Sequence, residues 1–193
     1  MRLIPANRAK FGSHQYFVTV MKAGEAINGI KIPKEDDDWD NLTIEEKYQR
    51  EINYNRVKKH IAPYLIKNED RFFGSLICYP YNETDIKFQS FNDIHDFGND
   101  VFYKTASEDA GFIIWDDGLL LRPLDGQHRL CALKFAILGK DERNRDIQDF
   151  AKNDDLANEQ IAVIIIDTGV AETPDEKNQV TASCRAIFNK INR

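Results

Sequence analysis

The sequence predicts an α+β protein built on one mixed, curved sheet with flanking helices. Helical patterns at about 43–66, 126–138 and 174–193 are separated by short apolar runs typical of strands. The sequence contains no internal repeat, low-complexity tract or flexible linker. We therefore expect residues 1–193 to form a single domain.

The composition is that of a globular protein, with 42% hydrophobic and 30% charged residues. No apolar run approaches the ~20 residues that span a membrane, and the first residues lack a secretory pattern. We expect a cytoplasmic protein without a membrane partner, in which Cys78, Cys131 and Cys184 are buried free thiols. The net charge of −6 argues against a broad DNA-coating face, so this domain alone should bind DNA weakly.

Residues 1–14 are basic and read as an irregular arm, either solvated or in contact with phosphate. Residues 15–22 alternate, but both sides are largely apolar, so this strand should be covered on both faces. Further strands are predicted at Phe72–Tyr81, Ile86–Phe91 and Ile161–Asp167.

The first helix should begin at Thr43–Glu46, which matches a capping box, and Pro63 should kink or restart it. Arg56, Lys59 and His60 share one face of it, which is either solvated or turned to a ligand. The last helix should begin at Thr173–Glu176. The acidic segments 34–40 and 93–96 read as loops, with a metal site as the less favoured alternative.

The stretch from 112 to 139 carries the strongest local signals. The apolar runs Phe112–Trp115 and Leu119–Leu124 are joined by Asp116–Gly118, a pattern that predicts a β-hairpin. Asp125 suits a helix N-cap, and Gly139 suits the helix end.

This helix start predicts an anion site. Its first turn offers free N–H groups and about half a positive charge, and Gly126 keeps no side chain between a ligand and the backbone. Arg129 supplies a planar fork for phosphate oxygens, His128 a pH-dependent donor, and Gln127 an amide. The competing interpretation is that these polar residues only cap the helix.

The string Asp125–Leu130 (DGQHRL) resembles the signature of the DGQHR-domain proteins, which include the DndB-type proteins of DNA phosphorothioate (sulfur) modification systems. That family is similar to the wider ParB/sulfiredoxin-like superfamily, in which the matching helix start binds nucleotide phosphates. Gln127 occupies the position of the reactive cysteine of sulfiredoxins, so that redox chemistry is not implied.

The resemblance extends to two other segments. It implies that the helix containing Arg56 packs beside the nucleotide pocket and that Arg56 is a further phosphate ligand. The last residues resemble the family's second motif, with Asn192 and Arg193 at the matching positions of a helix that closes the pocket. Because the chain stops within that motif, we expect it to be the N-terminal part of a longer protein.

The leading functional hypothesis is a nucleotide-binding domain of a DNA-modification or phage-defence system, with NTP hydrolysis left open. A nucleoside triphosphate with Mg²⁺ would be held through six residues: Gly126, His128, Arg129, Arg56, Asn192 and Arg193. Asp125, Gln127 and His128 are the candidate catalytic residues, which would position water or the metal. The partners implied are the nucleotide, DNA and other modification or defence proteins.

Two alternatives remain. The resemblance to DndB-type proteins also implies a non-enzymatic DNA-binding repressor of the modification operon. A component of a defence nuclease rests on analogy of fold alone, since the sequence contains no nuclease motif.

Overall fold

The computed structural model of the chain describes residues 1–32, 51–80, 86–115, 119–141, 145–147 and 150–169, and seven single positions between 173 and 187. The strands are β1 (Arg2–Phe11), β2 (His14–Lys22), β3 (Leu76–Pro80), β4 (Lys87–Ser90), β5 (Ala110–Trp115), β6 (Leu121–Asp125) and β7 (Gln160–Ile166). The α-helices are α1 (Ala23–Gly29), α2 (Tyr54–Arg56), α3 (Ala62–Lys67), α4 (Phe91–Ile94), α5 (Val101–Glu108) and α6 (Gln127–Leu138). A π-helix, Val57–Ile61, joins α2 to α3, and a 3₁₀-helix, Asp154–Asn158, precedes β7.

The seven strands form one sheet in the order β4-β5-β1-β2-β7-β3-β6. All neighbouring strands are antiparallel except β3 and β7, which are parallel. The predicted α+β class with a mixed sheet is therefore confirmed.

The main core lies between one face of the sheet and helix α6. Leu130, Leu133 and Phe135 of α6 are buried together with Phe17 and Val163 of the sheet. Nearly every side of α6 is covered, as expected for a helix in the interior of a domain. Its predicted end is confirmed, because Gly139 adopts a left-handed φ of 65° that suits glycine.

The prediction that β2 is covered on both faces is wrong. Phe17 and Met21 are buried, whereas Val18 and Val20 on the opposite face are 38% and 52% exposed. Apolar residues on both sides of a strand therefore did not imply a two-sided core here.

Residues 1–14 do not form an irregular arm. Residues 2–11 make the interior strand β1, which pairs with β2 on one side and β5 on the other. Ile4 and Ala6 are buried, and the basic side chains that suggested an arm face outward. Arg8, for example, donates a 3.1 Å hydrogen bond to the Asp109 carboxylate and lies over the Phe88 ring.

The predicted hairpin between Phe112–Trp115 and Leu119–Leu124 is also wrong. Both runs are strands, β5 and β6, but β1, β2, β7 and β3 lie between them in the sheet. The pairing of β5 with β1 and of β6 with β3 outweighs the local turn signal of residues 116–118, which lie outside the described residues.

Other boundaries also shift. Residues 51–53 are not helical, because the Asn53 side chain accepts a hydrogen bond from the Arg56 N–H and caps α2 at its start. The predicted start at Thr43 lies outside the described residues. The third strand begins at Leu76 rather than Phe72, which leaves 71–75 as irregular backbone. Phe91–Ile94 is helical, so 93–96 is not wholly a loop.

Two further predictions are confirmed within the described residues. Cys78 and Cys131 are buried free thiols, and Cys184 lies outside the description. The capping box at Thr173 is present, since the Glu176 N–H donates to the Thr173 hydroxyl and the Thr173 N–H to the Glu176 carboxylate.

Candidate functional site

The start of α6 is uncapped. Gly126 takes the N-cap position with a left-handed φ of 90°, so Asp125 ends β6 and is not the predicted cap. No side chain caps the helix, and the N–H groups of Gln127, His128 and Arg129 precede the first intrahelical bond, from Leu130 to the Gly126 carbonyl. Three donors at the positive end of a twelve-residue helix are a favourable environment for an anion.

Glycine at position 126 is required by conformation and by space. A Cβ there would lie 2.6 Å from Leu76 Cδ2 and 3.1 Å from Arg129 Nη2. The sharp β6–α6 junction therefore depends on this residue, a constraint separate from the open access to the backbone for which the sequence singled it out.

Arg129 lies across this junction. Its Nη2 donates a 2.9 Å hydrogen bond to Asp125 Oδ2, and the two side chains are 32% and 35% exposed. Its Nη1 lies so close to Gly74 that a Cβ at that position would overlap it. The ion pair uses one of the five guanidinium N–H donors, so the others remain for a ligand.

His128 is held by the turn before α2. The Asn53 N–H donates a 3.0 Å hydrogen bond to His128 Nε2, which fixes the neutral tautomer that carries its proton on Nδ1. Burial and the nearby positive charge of Arg56 lower the pKa of His128, and the Asp125 carboxylate opposes them. In this neutral form the side chain offers one Nδ1–H donor, and the donor whose charge depends on pH, which the sequence suggested, would need a lower pH to become charged.

Arg56 belongs to the same site through its charge. It is exposed, and in the part of the chain that the structure describes no carboxylate lies within ion-pair distance of it. The π-helix that follows it breaks the regular spacing, so the shared face predicted for Arg56, Lys59 and His60 does not follow an α-helical repeat. Ile52 and Val57 turn inward as predicted.

Gln127 is only 8% exposed, and no hydrogen bond of its side chain is found within the described ranges. Its amide atoms are not among the fully buried side-chain atoms that lack a hydrogen-bond partner, so the amide reaches solvent and is available to a ligand. Asp125 keeps its Oδ1 outside the ion pair with Arg129. The catalytic roles of Asp125, Gln127 and His128 stay predictions.

The structure thus brings Asp125, Gln127, His128 and Arg129 together with Arg56. Asn192 and Arg193 lie outside the described residues, so the closing role predicted for them stays a prediction. Nearby, Ile187 packs against the side chains of Tyr79, Leu124 and Ile166.

Sequence reasoning missed two contributors to the site, Asn53 and Gly74. Asn53 carried a usable signal, because asparagine before a helical run is a common N-cap. Gly74 carried no such signal in the sequence, because it contacts Arg129, a residue far from it along the chain.

Two other kinds of site are absent from the residues that the structure describes. No three His, Cys, Asp or Glu side chains there cluster so as to hold a metal ion, while the acidic segment 34–40 falls outside the description. No helix among those residues has the length and apolar character needed to cross a bilayer.

The fold and the site define an α+β protein with a seven-stranded mixed sheet and an arginine-bearing helix start at the β6–α6 junction. The chain belongs to the DndB family, described as DNA-sulfur modification-associated, whose sequence model matches residues 4–179. Membership implies involvement in a DNA sulfur-modification system. Searches of curated proteins and of solved structures each return no match, so the likeness to the ParB/sulfiredoxin superfamily stays an expectation.

Proposed function

We propose that this protein serves DNA sulfur modification by binding a nucleotide at the start of α6. The backbone N–H groups of residues 127–129 and the guanidinium of Arg129 hold the phosphates, and Arg56 adds positive charge from the facing helix. The observation that carries the proposal is the uncapped helix start directly beside a one-third-exposed guanidinium.

The arrangement suits phosphate better than simple capping. A helix that needed only a cap would be satisfied by a side chain at its N-cap, whereas Gly126 supplies none. The Asp125 carboxylate is turned instead to Arg129, which it orients over Gly74. A planar guanidinium held in this way can make two parallel hydrogen bonds to one phosphate group.

Hydrolysis would use the neighbouring polar groups. Mg²⁺ enters such sites with the nucleotide and needs only one or two carboxylates from the protein, for which Asp125 Oδ1 is the available oxygen. The Gln127 amide would orient the attacking water, as glutamines do in other phosphoryl-transfer sites. The Nδ1–H of His128 would act as a neutral donor to a phosphate oxygen.

Isothermal titration calorimetry with ATP, GTP and CTP in the presence of Mg²⁺ tests the proposal. We expect binding of at least one of these nucleotides, and loss of that binding in Arg129→Ala with little change in thermal stability. No heat with any of the three at high micromolar protein would refute it. If Arg129→Ala lowers the free energy of unfolding by as much as it lowers the free energy of nucleotide binding, this arginine has a structural role instead.

A second candidate function is direct contact with DNA, as in a repressor of the modification operon. Lys58, Lys59 and His60 are exposed in one run beside Arg56, which makes a local basic surface on an acidic chain. Such a surface can contact the DNA backbone even though the net charge is −6.

Gel shifts on operator DNA at two salt concentrations separate the two functions. Tight binding without nucleotide that weakens steeply with salt, and that falls in Lys58→Ala/Lys59→Ala, favours the repressor. Nucleotide binding that is unchanged in the same variant favours the first proposal.

A further inference from the structure

A small cavity lies one helical turn from the proposed phosphate site. Its volume is about 150 Å³, and it is enclosed between α3, α6, the irregular backbone after α3 and the start of β7. Its walls and rim include Leu65, Arg71, Phe72, Phe73, Leu133 and Glu159.

Two residues that line this cavity are close neighbours, along the chain, of residues at the phosphate site. Phe73, in its wall, directly precedes Gly74, the residue against which the Arg129 guanidinium lies. Leu133, also in its wall, follows Arg129 by four residues on the same face of α6, about 6 Å along the helix axis. The cavity and the phosphate site therefore lie within the length of one nucleotide of each other.

The size and chemistry of the cavity favour one planar ring. A cavity of about this volume takes a benzene-sized guest, whereas complete drug-sized ligands need roughly 300 Å³ or more. Leucine and phenylalanine side chains supply most of its apolar lining, and three polar residues also line it, Arg71, Glu159 and Gln160, of which the first two form an ion pair. Apolar walls with a few polar groups at the rim are typical of sites for heteroaromatic rings.

We propose that this cavity holds the base of the nucleotide whose phosphates lie at the start of α6. The inference rests on the proposed function and adds the subsite that distinguishes a nucleotide from a bare polyphosphate. Phe72, which is 80% exposed at the mouth, stacks on the base. The Arg71 and Glu159 pair presents donors and acceptors to its edge.

The test compares ATP with inorganic tripolyphosphate, which carries the same kind of charge but no base. Affinities are measured by calorimetry for the unmodified protein and for two variants. Leu133→Trp fills the cavity, and its folding is checked by circular dichroism and thermal melting. Phe72→Ala removes an exposed ring and keeps the test decisive if the first variant does not fold. Phe11→Ala is the matched control, because Phe11 is 82% exposed on β1, away from the cavity.

We expect ATP to bind roughly tenfold or more tightly than tripolyphosphate, as one stacked base contributes. Each cavity variant should lose that advantage while its affinity for tripolyphosphate stays unchanged, and Phe11→Ala should behave as the unmodified protein. Equal affinities for the two compounds, or an ATP advantage that survives in the folded cavity variants, would overturn this inference alone. Absence of binding by both compounds would overturn the proposed function and this inference with it.

Discussion

Replacing Gly74 by alanine should move the Arg129 guanidinium without unfolding the protein. The new Cβ would overlap Arg129 Nη1, the far end of a flexible side chain, and would meet no backbone atom. The guanidinium must shift by about 1 Å to regain van der Waals distance, which breaks its alignment with Asp125 and with a bound phosphate.

The expected magnitudes follow from these contacts. The ion pair joins the end of β6 to the first turn of α6 and is partly exposed, so its loss costs roughly 0.2–1 kcal/mol of stability. The φ angle of Gly74 is not positive, so alanine restricts the unfolded chain and returns about 0.4–1 kcal/mol. The net free energy of unfolding should therefore stay within about 1 kcal/mol. Loss of one charged hydrogen bond to phosphate, about 1.5–3 kcal/mol, weakens nucleotide binding roughly 10- to 150-fold.

The assay pairs calorimetry with urea unfolding in a double-mutant cycle. Gly74→Ala, Arg129→Lys and the double variant are each titrated with the nucleotide that the unmodified protein binds, because lysine keeps the charge, and with it measurable binding, but removes the guanidinium. If Gly74 acts through the guanidinium, the alanine has no further effect once Arg129 is gone. Unchanged affinity in Gly74→Ala, or equal effects of the alanine with and without Arg129, would refute this reasoning.

Three further predictions concern the same region. Gly126→Ala should lower the free energy of unfolding by roughly 2 kcal/mol in urea titrations, because alanine is strained at a φ of 90° and its Cβ meets Leu76; an unchanged midpoint would contradict this. Folding lowers the pKa of His128, so the unfolded chain binds more protons than the folded one at mildly acidic pH. The free energy of unfolding should therefore decline as the pH falls from 6.5 through the folded pKa, by at most about 1.4 kcal/mol per pH unit. His128→Gln keeps an acceptor for the Asn53 N–H and should flatten that decline; an equal slope in both proteins would argue against it. Cys78 and Cys131 are buried, and burial raises the pKa of the Cys78 thiol. In a Cys184→Ser variant, no thiol should therefore react with a disulfide reagent until urea unfolds the chain. Rapid reaction of the folded variant would be inconsistent with the structure.

The helix at the site was predictable because its signals are local. The apolar spacing and the glycine at its end act within one segment, so α6 ends where the sequence indicated. The strand β7 was predictable for the same reason, since a run of β-branched residues has few other stable conformations.

Sheet order was not predictable in this way. The turn signal at 116–118 suggested that β5 and β6 pair, yet each finds its partner elsewhere in the sheet. Pairing depends on contacts between segments far apart in the chain, and no residue near the turn carries that information. The N-terminal strand was missed because outward-facing basic residues concealed the alternation of Ile4 and Ala6.

The site itself was predictable in part. The cluster at Gly126–Arg129 was visible as a motif, but the partners of its side chains were not. The Asn53 N–H that fixes His128 and the Gly74 backbone that supports Arg129 come from other segments. Such contacts are set by packing, so they became visible only with the fold.

The central claim is that the amides of residues 127–129 and the Arg129 guanidinium bind phosphate. A crystal of this protein grown or soaked with ATP and Mg²⁺ tests it most directly. Our account predicts phosphate density within hydrogen-bond distance of those amides and of Arg129. Nucleotide density elsewhere on the protein, with the Arg129 side chain still held by Asp125 alone, would contradict it.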